Sequence, residues 1–220
     1  MSDGTADADP FSPDAVRAAY DTVAEDYEAA FGEDLASLPL DRAVLEAAAA
    51  TVPDGATALD LGCGTGVAGA VVAGGGVPVV GADLSAGMLE VARSSRSMAV
   101  VQADMRRLPF GEGAFALVVA FYVIQHAGRA ELAGVLSEVR RVLGDGGAVL
   151  VAAHLGTEDV MSEEFLGHRI APMAGALYPA EELTGLLVEA GFAVHSSSRR
   201  GPLDHEYPSQ RIYVLARRSG

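Results

Sequence analysis

A glycine-rich segment is the first place where this sequence indicates chemistry. In ALDLGCGTG, the glycines Gly62, Gly64 and Gly66 lie within five residues, just after an apolar run that contains Asp60. Glycine loops at the end of a buried strand commonly bind nucleotides. The dinucleotide fingerprint needs its third glycine at the sixth position of the loop, and that position here is Val67. The loop is therefore G-x-G-x-G and lacks the spacing that binds a pyrophosphate.

The basic residues narrow the chemistry further, because all 15 of them are arginine. A Walker-type phosphate loop needs a lysine, and so does a pyridoxal cofactor bound as a Schiff base. The composition excludes both kinds of site. The glycine loop must therefore serve a ligand that needs no phosphate-binding lysine.

Two carboxylates follow the next two apolar segments of the chain. Asp83 ends VVGAD, 21 residues after Gly62, and Asp104 ends VQAD. The carboxyl ends of parallel strands meet at one edge of a sheet, so both carboxylates are expected beside the glycine loop. At the end of the second strand, a carboxylate can accept hydrogen bonds from both hydroxyls of a ribose.

The elements around these residues alternate between strand and helix from residue 57 onward. Near-continuous apolar strands separated by helices are typical of a parallel sheet covered on both faces. We expect an α/β, Rossmann-like fold: a seven-stranded, mostly parallel sheet with helices on both faces and an antiparallel last strand. The predicted strands are 57–61, 77–82, 98–102, 115–120, 148–153, 192–198 and 211–217, and the predicted helices are 12–31, 40–51, 67–73, 85–93, 130–143 and 179–190.

The chain is expected to fold as a single domain over residues 14–218. Residues 1–13, MSDGTADADPFSP, are acidic and contain Pro and Gly, which predicts a disordered lead-in without the features of a signal peptide. Residues 14–52 are expected to form an N-terminal helical cap. Residues 154–178 show no clear hydrophobic period. We expect a lid-like insertion there, because loops of that length are commonly functional lids or disordered.

Charge and cysteine content restrict the partners. The formal net charge of −15 repels nucleic-acid backbones and anionic membranes. The one cysteine, Cys63, excludes an internal disulfide and a multi-cysteine metal site. We expect a cytoplasmic monomer or homodimer that acts on a small molecule, binds neither nucleic acid nor membrane, and uses no metal.

From about Tyr20 to Arg217 the chain resembles the class I S-adenosylmethionine (SAM)-dependent methyltransferases of the small-molecule type. The segment YDTVAEDYEAAF is similar to the N-terminal cap helix of many members. The other matching motifs occur in the family's order, and they are ALDLGCGTG, VVGADLS, VQADMRRLPF, FALVVAFYVIQH, RRVLGDGGAVLVA and LLVEAGF. The resemblance implies SAM as the cofactor, and SAM carries no phosphate.

The resemblance also implies which residues bind SAM. Gly62 and Gly64 would let the backbone approach the methionine end and the adenosine closely, and Asp60 would steady the loop or the ammonium group. Asp83 would accept the ribose hydroxyls, and Asp104 the adenine amino group. The full implied set is Tyr20, Asp60, Gly62, Cys63, Gly64, Gly66, Asp83, Leu84, Met88, Asp104, Met105, Ala120 and Phe121.

Two histidines are candidate bases for an acceptor hydroxyl. His126 follows the fourth predicted strand and His154 follows the fifth, so both fall at the ligand-binding edge of the sheet. Packing or cofactor support is the alternative role for His126. The residues expected to line an apolar acceptor pocket are Tyr122, Met161, Phe165, Met173 and Tyr178.

The expected activity is transfer of the SAM methyl group to a small molecule by in-line displacement, with oxygen favoured over nitrogen or carbon as the attacked atom. Two alternatives keep the fold: a SAM-binding protein that catalyses another reaction, such as a cyclisation, and a binding module. A nicotinamide oxidoreductase is disfavoured by Val67.

Overall fold

The computed structural model describes residues 9–220. The helices are α1 (Pro13–Phe31), α2 (Pro39–Ala49), α3 (Val67–Gly74), α4 (Ala86–Arg96), α5 (Arg129–Val142) and α6 (Ala180–Glu189). The strands are β1 (Ala58–Leu61), β2 (Val79–Asp83), β3 (Ala99–Gln102), β4 (Phe115–Phe121), β5 (Leu143–Leu155), β6 (Asp159–Phe165), β7 (His168–Ala176), β8 (Phe192–Arg200) and β9 (Gln210–Arg218). Single 3-10 turns, Asp34–Ala36 and Ile124–Ala127, precede α2 and α5.

Within the described residues, seven strands form one sheet in the order β3-β2-β1-β4-β5-β9-β8. Strands β1 to β5 pair in parallel, and β9 is antiparallel to both of its neighbours, β5 and β8. The predicted Rossmann-like sheet with an antiparallel last strand is confirmed. The strand order reverses between β1 and β4, and open sheets of this kind bind ligands in the crevice at that point.

The sheet is covered on both faces, and β4 shows how. Its side chains alternate, as those of any strand do. Leu117 and Val119 pack into the cluster formed with α2 and α3. Val118 and Ala120 pack into the opposite cluster, which α5 and α6 complete. Burial on both faces explains why the parallel strands read as continuous apolar runs.

The helix starts follow from local capping chemistry. Ser12 accepts a hydrogen bond from the Ala15 N–H and is followed by Pro13 at the first helical position of α1. Ser85 caps α4 in the same way, accepting from the Met88 N–H at 3.1 Å. Ser85 thereby starts α4 directly after β2, which ends at the ligand-binding edge.

Helix α1 is attached to the body of the protein near its middle and at its C-terminal end. Near its middle, Asp21 accepts hydrogen bonds from the Ser85 hydroxyl at 2.6 Å and from the Gly87 N–H at 3.0 Å. At its end, the guanidinium of Arg96 donates to the carbonyls of Gly32 and Thr65. Since Thr65 belongs to the glycine loop, Arg96 ties the cap helix and the loop together.

The segment predicted as a lid-like loop, 154–178, contains regular structure that the sequence analysis did not predict. Strand β5 extends to Leu155, and β6 and β7 then form a two-stranded antiparallel hairpin. The hairpin packs against α1 through Ile170 and Met173. Pro172 argues against a central strand, but in a two-stranded sheet each strand is an edge, where Pro is tolerated.

Two predicted boundaries also differ from the structure. Helix α5 ends at Val142 and β5 begins at the next residue, whereas the sequence analysis placed GDGG between them. Of the predicted lead-in, residues 1–8 lie outside the described part of the chain. Residues 9–12 form a turn in which the Ser12 N–H donates to the Asp9 carbonyl. The domain limits of 14–218 stay a prediction.

None of the helices within residues 9–220 has the length and apolar character needed to span a membrane.

Candidate active site

A cavity lies at the carboxyl ends of β1, β2 and β4, beneath helix α1. Most of the predicted cofactor residues meet there. Those lining the cavity are Tyr20, Asp60, Gly62, Cys63, Gly64, Asp83, Leu84, Met88, Asp104, Met105 and Phe121. The two other predicted residues support the cavity from behind: Gly66 begins helix α3, and Ala120 is buried in β4.

The glycine loop makes a tight turn that other residues would strain. Gly62, Gly64 and Gly66 have φ angles of 63°, 52° and 87°, in the left-handed region that favours glycine. A Cβ on Gly62 would lie only 2.0 Å from a methyl carbon of Val123, so that position also requires a small residue. A Cβ on Gly64 would meet no heavy atom of the described chain within 4 Å. Gly64 therefore borders open space, and its lack of a side chain keeps the cavity wide.

Asp83 connects the glycine loop to the end of β2. Its carboxylate accepts from the N–H of Gly64 and from the N–H of Ser85, each at 2.8 Å. Burial raises the pKa of Asp83, while these backbone hydrogen bonds oppose the rise. Each carboxylate oxygen keeps a free lone pair, so the group can still accept hydrogen bonds from a ligand.

Asp60 is a nearly fully buried carboxylate under the loop. Its Oδ2 accepts from the Gly69 N–H in the first turn of α3 at 2.8 Å. Burial raises the pKa of Asp60 to about 7, and the nearby charge of Asp83 adds to the rise. Two buried carboxylates this close favour a ligand that brings positive charge or hydrogen-bond donors.

Asp104 follows β3 at the far end of the cavity. Its Oδ1 accepts from the backbone N–H of Arg106 at 2.9 Å and from that residue's guanidinium at 3.2 Å. The Arg106 guanidinium also bonds Glu131 on α5. The side chain of Asp104 is therefore fixed in place beside Met105, with its second oxygen left for a ligand.

Tyr20 of α1 contacts His126, in the 3-10 turn before α5, and both line the cavity. The Tyr20 hydroxyl lies 2.9 Å from His126 Nε2, and the two rings meet edge to face. Burial lowers the pKa of His126 to about 4, so the imidazole is neutral and shares a single hydrogen bond with the Tyr20 hydroxyl. Its Nδ1 is buried without a hydrogen-bond partner among the described residues. Tyr20 and Tyr27 lie seven residues apart on α1, and both line the cavity.

Comparison with known proteins agrees with this geometry. Residues 58–147 match the model of a methyltransferase domain. A demethylmenaquinone methyltransferase of Beutenbergia cavernae is 38% identical over 145 residues, which are 64% of this chain and 58% of that protein. The match to the family model identifies residues 58–147 as a methyltransferase domain.

Solved structures share the fold over most or all of this chain. One is the 1,6-didemethyltoxoflavin-N1-methyltransferase of Burkholderia thailandensis with bound 1,6-didemethyltoxoflavin and S-adenosylhomocysteine. The superposition covers 100% of this chain and 98% of that enzyme, with a TM-score of 0.71 and 18% identity. The 4+2 cyclase SpnF covers 81% of both chains at a TM-score of 0.63 and 19% identity. The chain spans about three fifths of the length of the curated relative from Beutenbergia cavernae.

The second candidate base, His154, does not line the cavity. Its Nδ1 is 2.7 Å from the Ser209 hydroxyl, and its ring stacks on Tyr122 at 4.9 Å between centroids. Burial lowers the pKa of His154 to about 4, and the charge of Arg211 contributes. His154 thus supports Tyr122, and the ring of Tyr122 stands between it and the cavity.

The three other histidines lie at the surface or close to carboxylates. His168 Nε2 is 2.6 Å from Asp26, which links the hairpin to α1. His205 Nε2 is 3.9 Å from Asp34, at the cavity rim. His195 lies on the edge strand β8 and is exposed.

A polar network behind the end of β4 was not predicted. The Tyr122 hydroxyl donates to Asp41 at 2.9 Å and lies 2.9 Å from the Tyr213 hydroxyl. Arg200 donates from Nε to Asp41 and to Tyr213, both at 2.9 Å. Tyr122 has a φ of 55°, which is unusual for an aromatic residue, and the network holds it there. The members lie up to 172 residues apart, so no local pattern links them.

Of the residues predicted for an acceptor pocket, Tyr122 lines the cavity. Phe165 packs against Tyr20 and Tyr27 from the hairpin. Met173 and Tyr178 are buried, and Met161 is 55% exposed on the outer face of the hairpin. The lining at that end comes instead from the segment between α1 and α2, where Leu35 and Leu38 face the cavity.

Within residues 9–220, no group of three or more His, Cys, Asp or Glu side chains is placed to hold a metal ion.

Proposed function

We propose that this protein transfers the methyl group of SAM to a small-molecule acceptor. One observation carries the proposal. The glycine loop, Asp60, Asp83 and Asp104 line a single cavity at the switch point of the sheet, although 44 residues separate the first carboxylate from the last. An acceptor that reaches the end of β4 would meet the reactive end of a nucleotide ligand held along this edge.

The residues present fit SAM. The cavity carries buried carboxylates at Asp60 and Asp83, and the guanidinium that lines it, from Arg106, is already paired with Asp104 and Glu131. Such a site favours a cationic ligand, and SAM brings a sulfonium and an ammonium group. The open space at Gly64 allows the ligand to contact the backbone.

Each carboxylate receives a distinct role in this proposal. Asp83 accepts the ribose hydroxyls with the lone pairs that Gly64 and Ser85 leave free. Asp104 accepts the adenine amino group, and the Met105 N–H donates to a ring nitrogen. Asp60 faces the ammonium end while it holds the first turn of α3. Leu84, Met88 and Phe121 supply apolar contacts.

The chemistry that SAM supplies is an electrophilic methyl group on a sulfonium. The chain has to align the acceptor with that group and exclude water. Tyr20 and Tyr27 cover the cavity from α1, and Phe165 packs behind both rings. Cys63 is a small residue of the loop, and burial raises the pKa of its thiol, which leaves it unreactive.

Neither histidine is placed to act as a strong base. His126 is occupied by the Tyr20 hydroxyl, and its lowered pKa of about 4 makes it a weak proton acceptor. His154 bonds Ser209 behind Tyr122. We propose that both position aromatic side chains, and that catalysis depends mainly on alignment.

The relatives support a small-molecule acceptor. One is named for demethylmenaquinone and another for 1,6-didemethyltoxoflavin, and both names describe ring compounds. We propose a ring-bearing acceptor and retain oxygen as the favoured attacked atom, ahead of nitrogen and carbon. A cytoplasmic location and a monomeric or homodimeric state stay predictions.

Calorimetry tests the cofactor assignment. SAM and S-adenosylhomocysteine should each bind the purified protein with micromolar affinity, and NAD should not bind. The variant Asp83→Ala should lose most of the affinity for SAM. Its matched control, Asp54→Ala in an exposed turn, should retain that affinity. Binding of NAD without binding of SAM would refute the proposal.

A second candidate function is a reaction that uses bound SAM without transferring its methyl group. The cyclase SpnF shares this fold at a TM-score of 0.63. Mass spectrometry of the product decides between the two functions. A product heavier by one methyl group in place of a hydrogen supports transfer, and a product of unchanged mass with intact SAM supports the alternative.

A further inference from the structure

The cavity has a second end, away from Asp104, with a different character. Leu35 and Leu38 line it from the segment between α1 and α2, together with Phe31 at the end of α1. Phe121 and Tyr122 line it from the end of β4. The five side chains give this end aromatic and aliphatic walls that suit a flat, apolar molecule. We call it the acceptor end.

Two carboxylates also line the acceptor end, and they differ in their partners. Asp41 is fully buried, and its two oxygens are taken by the Tyr122 hydroxyl and by Arg200. Asp34 is about one third exposed at the rim, and Nε2 of His205 lies 3.9 Å from its Oδ1. Asp34 therefore keeps oxygens that can meet a ligand, whereas Asp41 holds the wall.

The charges that surround Asp34 make this end acidic. Burial raises the pKa of Asp34, and the charges of Glu206 and Asp41 oppose its ionisation while His205 favours it. Arg200 is committed to Asp41 and Glu206. The cavity-lining guanidinium of Arg106 belongs to the opposite end, where it pairs with Asp104. An anionic group placed at the acceptor end would face Asp34, and among the described residues that line this cavity no arginine is left unpaired to compensate it.

We propose that Asp34 determines the specificity of this site: it admits uncharged or cationic aromatic acceptors that carry an O–H or N–H group, and it rejects anionic ones. The carboxylate accepts a hydrogen bond from the acceptor's donor group, while the apolar walls hold its ring. The inference rests on the proposed function, because it takes the acceptor end to lie beside the methyl group.

Two probes of nearly equal shape test the charge selection. 2-Naphthol is uncharged at neutral pH and carries an O–H donor, and 2-naphthoate presents a carboxylate at the same ring position. Each is titrated by fluorescence into the full chain saturated with S-adenosylhomocysteine. 2-Naphthol should bind at least about tenfold more tightly than 2-naphthoate, a difference of about 1.4 kcal/mol by the standard conversion.

The decisive variant is Asp34→Asn, and Glu33→Gln is its matched control. Glu33 precedes Asp34 in the chain, is exposed and does not line this cavity. Glu33→Gln therefore removes one negative charge without changing the acceptor end. Asp34→Asn should reduce the ratio of the two dissociation constants to less than about threefold, and Glu33→Gln should leave it as in the wild type. Both variants should bind S-adenosylhomocysteine as the wild type does.

Every other result counts against the proposal. Equal binding of the two probes, no binding of either, or an equal effect of Glu33→Gln would overturn it. Loss of S-adenosylhomocysteine affinity in Asp34→Asn would place the carboxylate in the cofactor site instead. Failure of the wild type to bind S-adenosylhomocysteine at all would refute the proposed function, and it is detected before either probe is added.

Discussion

The backbone N–H of Gly64 donates to the carboxylate of Asp83 at 2.8 Å, across the gap between β1 and β2. The contact joins two motifs that lie 19 residues apart in the sequence. Because the same carboxylate also accepts from Ser85, its position depends on the glycine loop and on the start of α4 together. A change in either element moves the group proposed to bind the ribose.

Asp83→Ala should weaken SAM binding by about 100-fold or more. The variant removes two proposed hydrogen bonds to a charged group, each worth about 1.5–3 kcal/mol, and leaves two N–H groups without their acceptor. Calorimetry measures the affinity, and denaturant unfolding should show a loss of about 1–3 kcal/mol in the free energy of unfolding. SAM affinity equal to that of the wild type would contradict the ribose assignment.

Three glycine variants should separate loop strain from cavity filling. Gly55→Ala, at φ 77° in an exposed turn with no heavy atom near the new methyl group, measures the cost of the left-handed backbone alone, about 1–2 kcal/mol. Gly64→Ala should cost the same stability and also reduce SAM affinity at least tenfold, because its methyl group enters the cavity. Gly62→Ala should lower the free energy of unfolding by about 1–3 kcal/mol more than Gly55→Ala does, because its methyl group clashes with Val123.

Thermal unfolding and calorimetry on the three proteins check this order. Equal SAM affinity in Gly55→Ala and Gly64→Ala would show that the ligand does not approach the loop at Gly64. Equal stability of Gly62→Ala and Gly55→Ala would show that Val123 moves aside without cost.

The sheet and the cofactor end of the site could be predicted because their determinants are local. A glycine loop after a buried strand fixes a turn, and Asp83 is the last residue of its strand, so topology brings both to one edge. The hairpin β6–β7 could not be predicted in the same way. Strand β6 has no buried residue, β7 contains Pro172, and neither shows a regular apolar alternation, so no periodic pattern marks them.

The acceptor end depends on contacts between distant segments. Asp41 and Arg200 are 159 residues apart, and no spacing rule relates them. His154 illustrates the opposite error: it has the expected residue type at a strand end, but its ring lies behind Tyr122. A position at the right edge of a sheet does not settle which way a side chain turns, because that depends on the packing of its neighbours.

SAM affinity should rise with pH through neutrality. Burial raises the pKa of Asp60 to about 7, and a cationic ligand favours its ionised form. Between pH 6 and pH 8 the ionised fraction grows from about one tenth to about nine tenths, so the affinity should increase roughly ninefold. The pKa of His126, about 4, lies below this window. Calorimetry at several pH values should give a flat profile for Asp60→Asn.

Asp60 should affect stability in the opposite direction. Its pKa is higher in the folded protein than in an unfolded chain, so the folded state binds the proton more tightly. The stability it contributes is fully present below about pH 4 and is lost as the pH rises through 7. The free energy of unfolding of the wild type should therefore fall across that range relative to Asp60→Asn. Denaturant titrations of both proteins measure it, and parallel pH profiles would rule out a raised pKa for Asp60.

Phe165→Ala should accelerate release of S-adenosylhomocysteine. The ring packs against Tyr20 at 6.1 Å and Tyr27 at 6.2 Å between centroids, so it holds the cap helix over the cavity without lining it. Met161→Ala is the control, because Met161 belongs to the same hairpin but is 55% exposed. Stopped-flow displacement should show a dissociation rate at least about fivefold higher for Phe165→Ala and unchanged for Met161→Ala. Equal rates in the two variants would mean that the hairpin does not hold the cap helix closed.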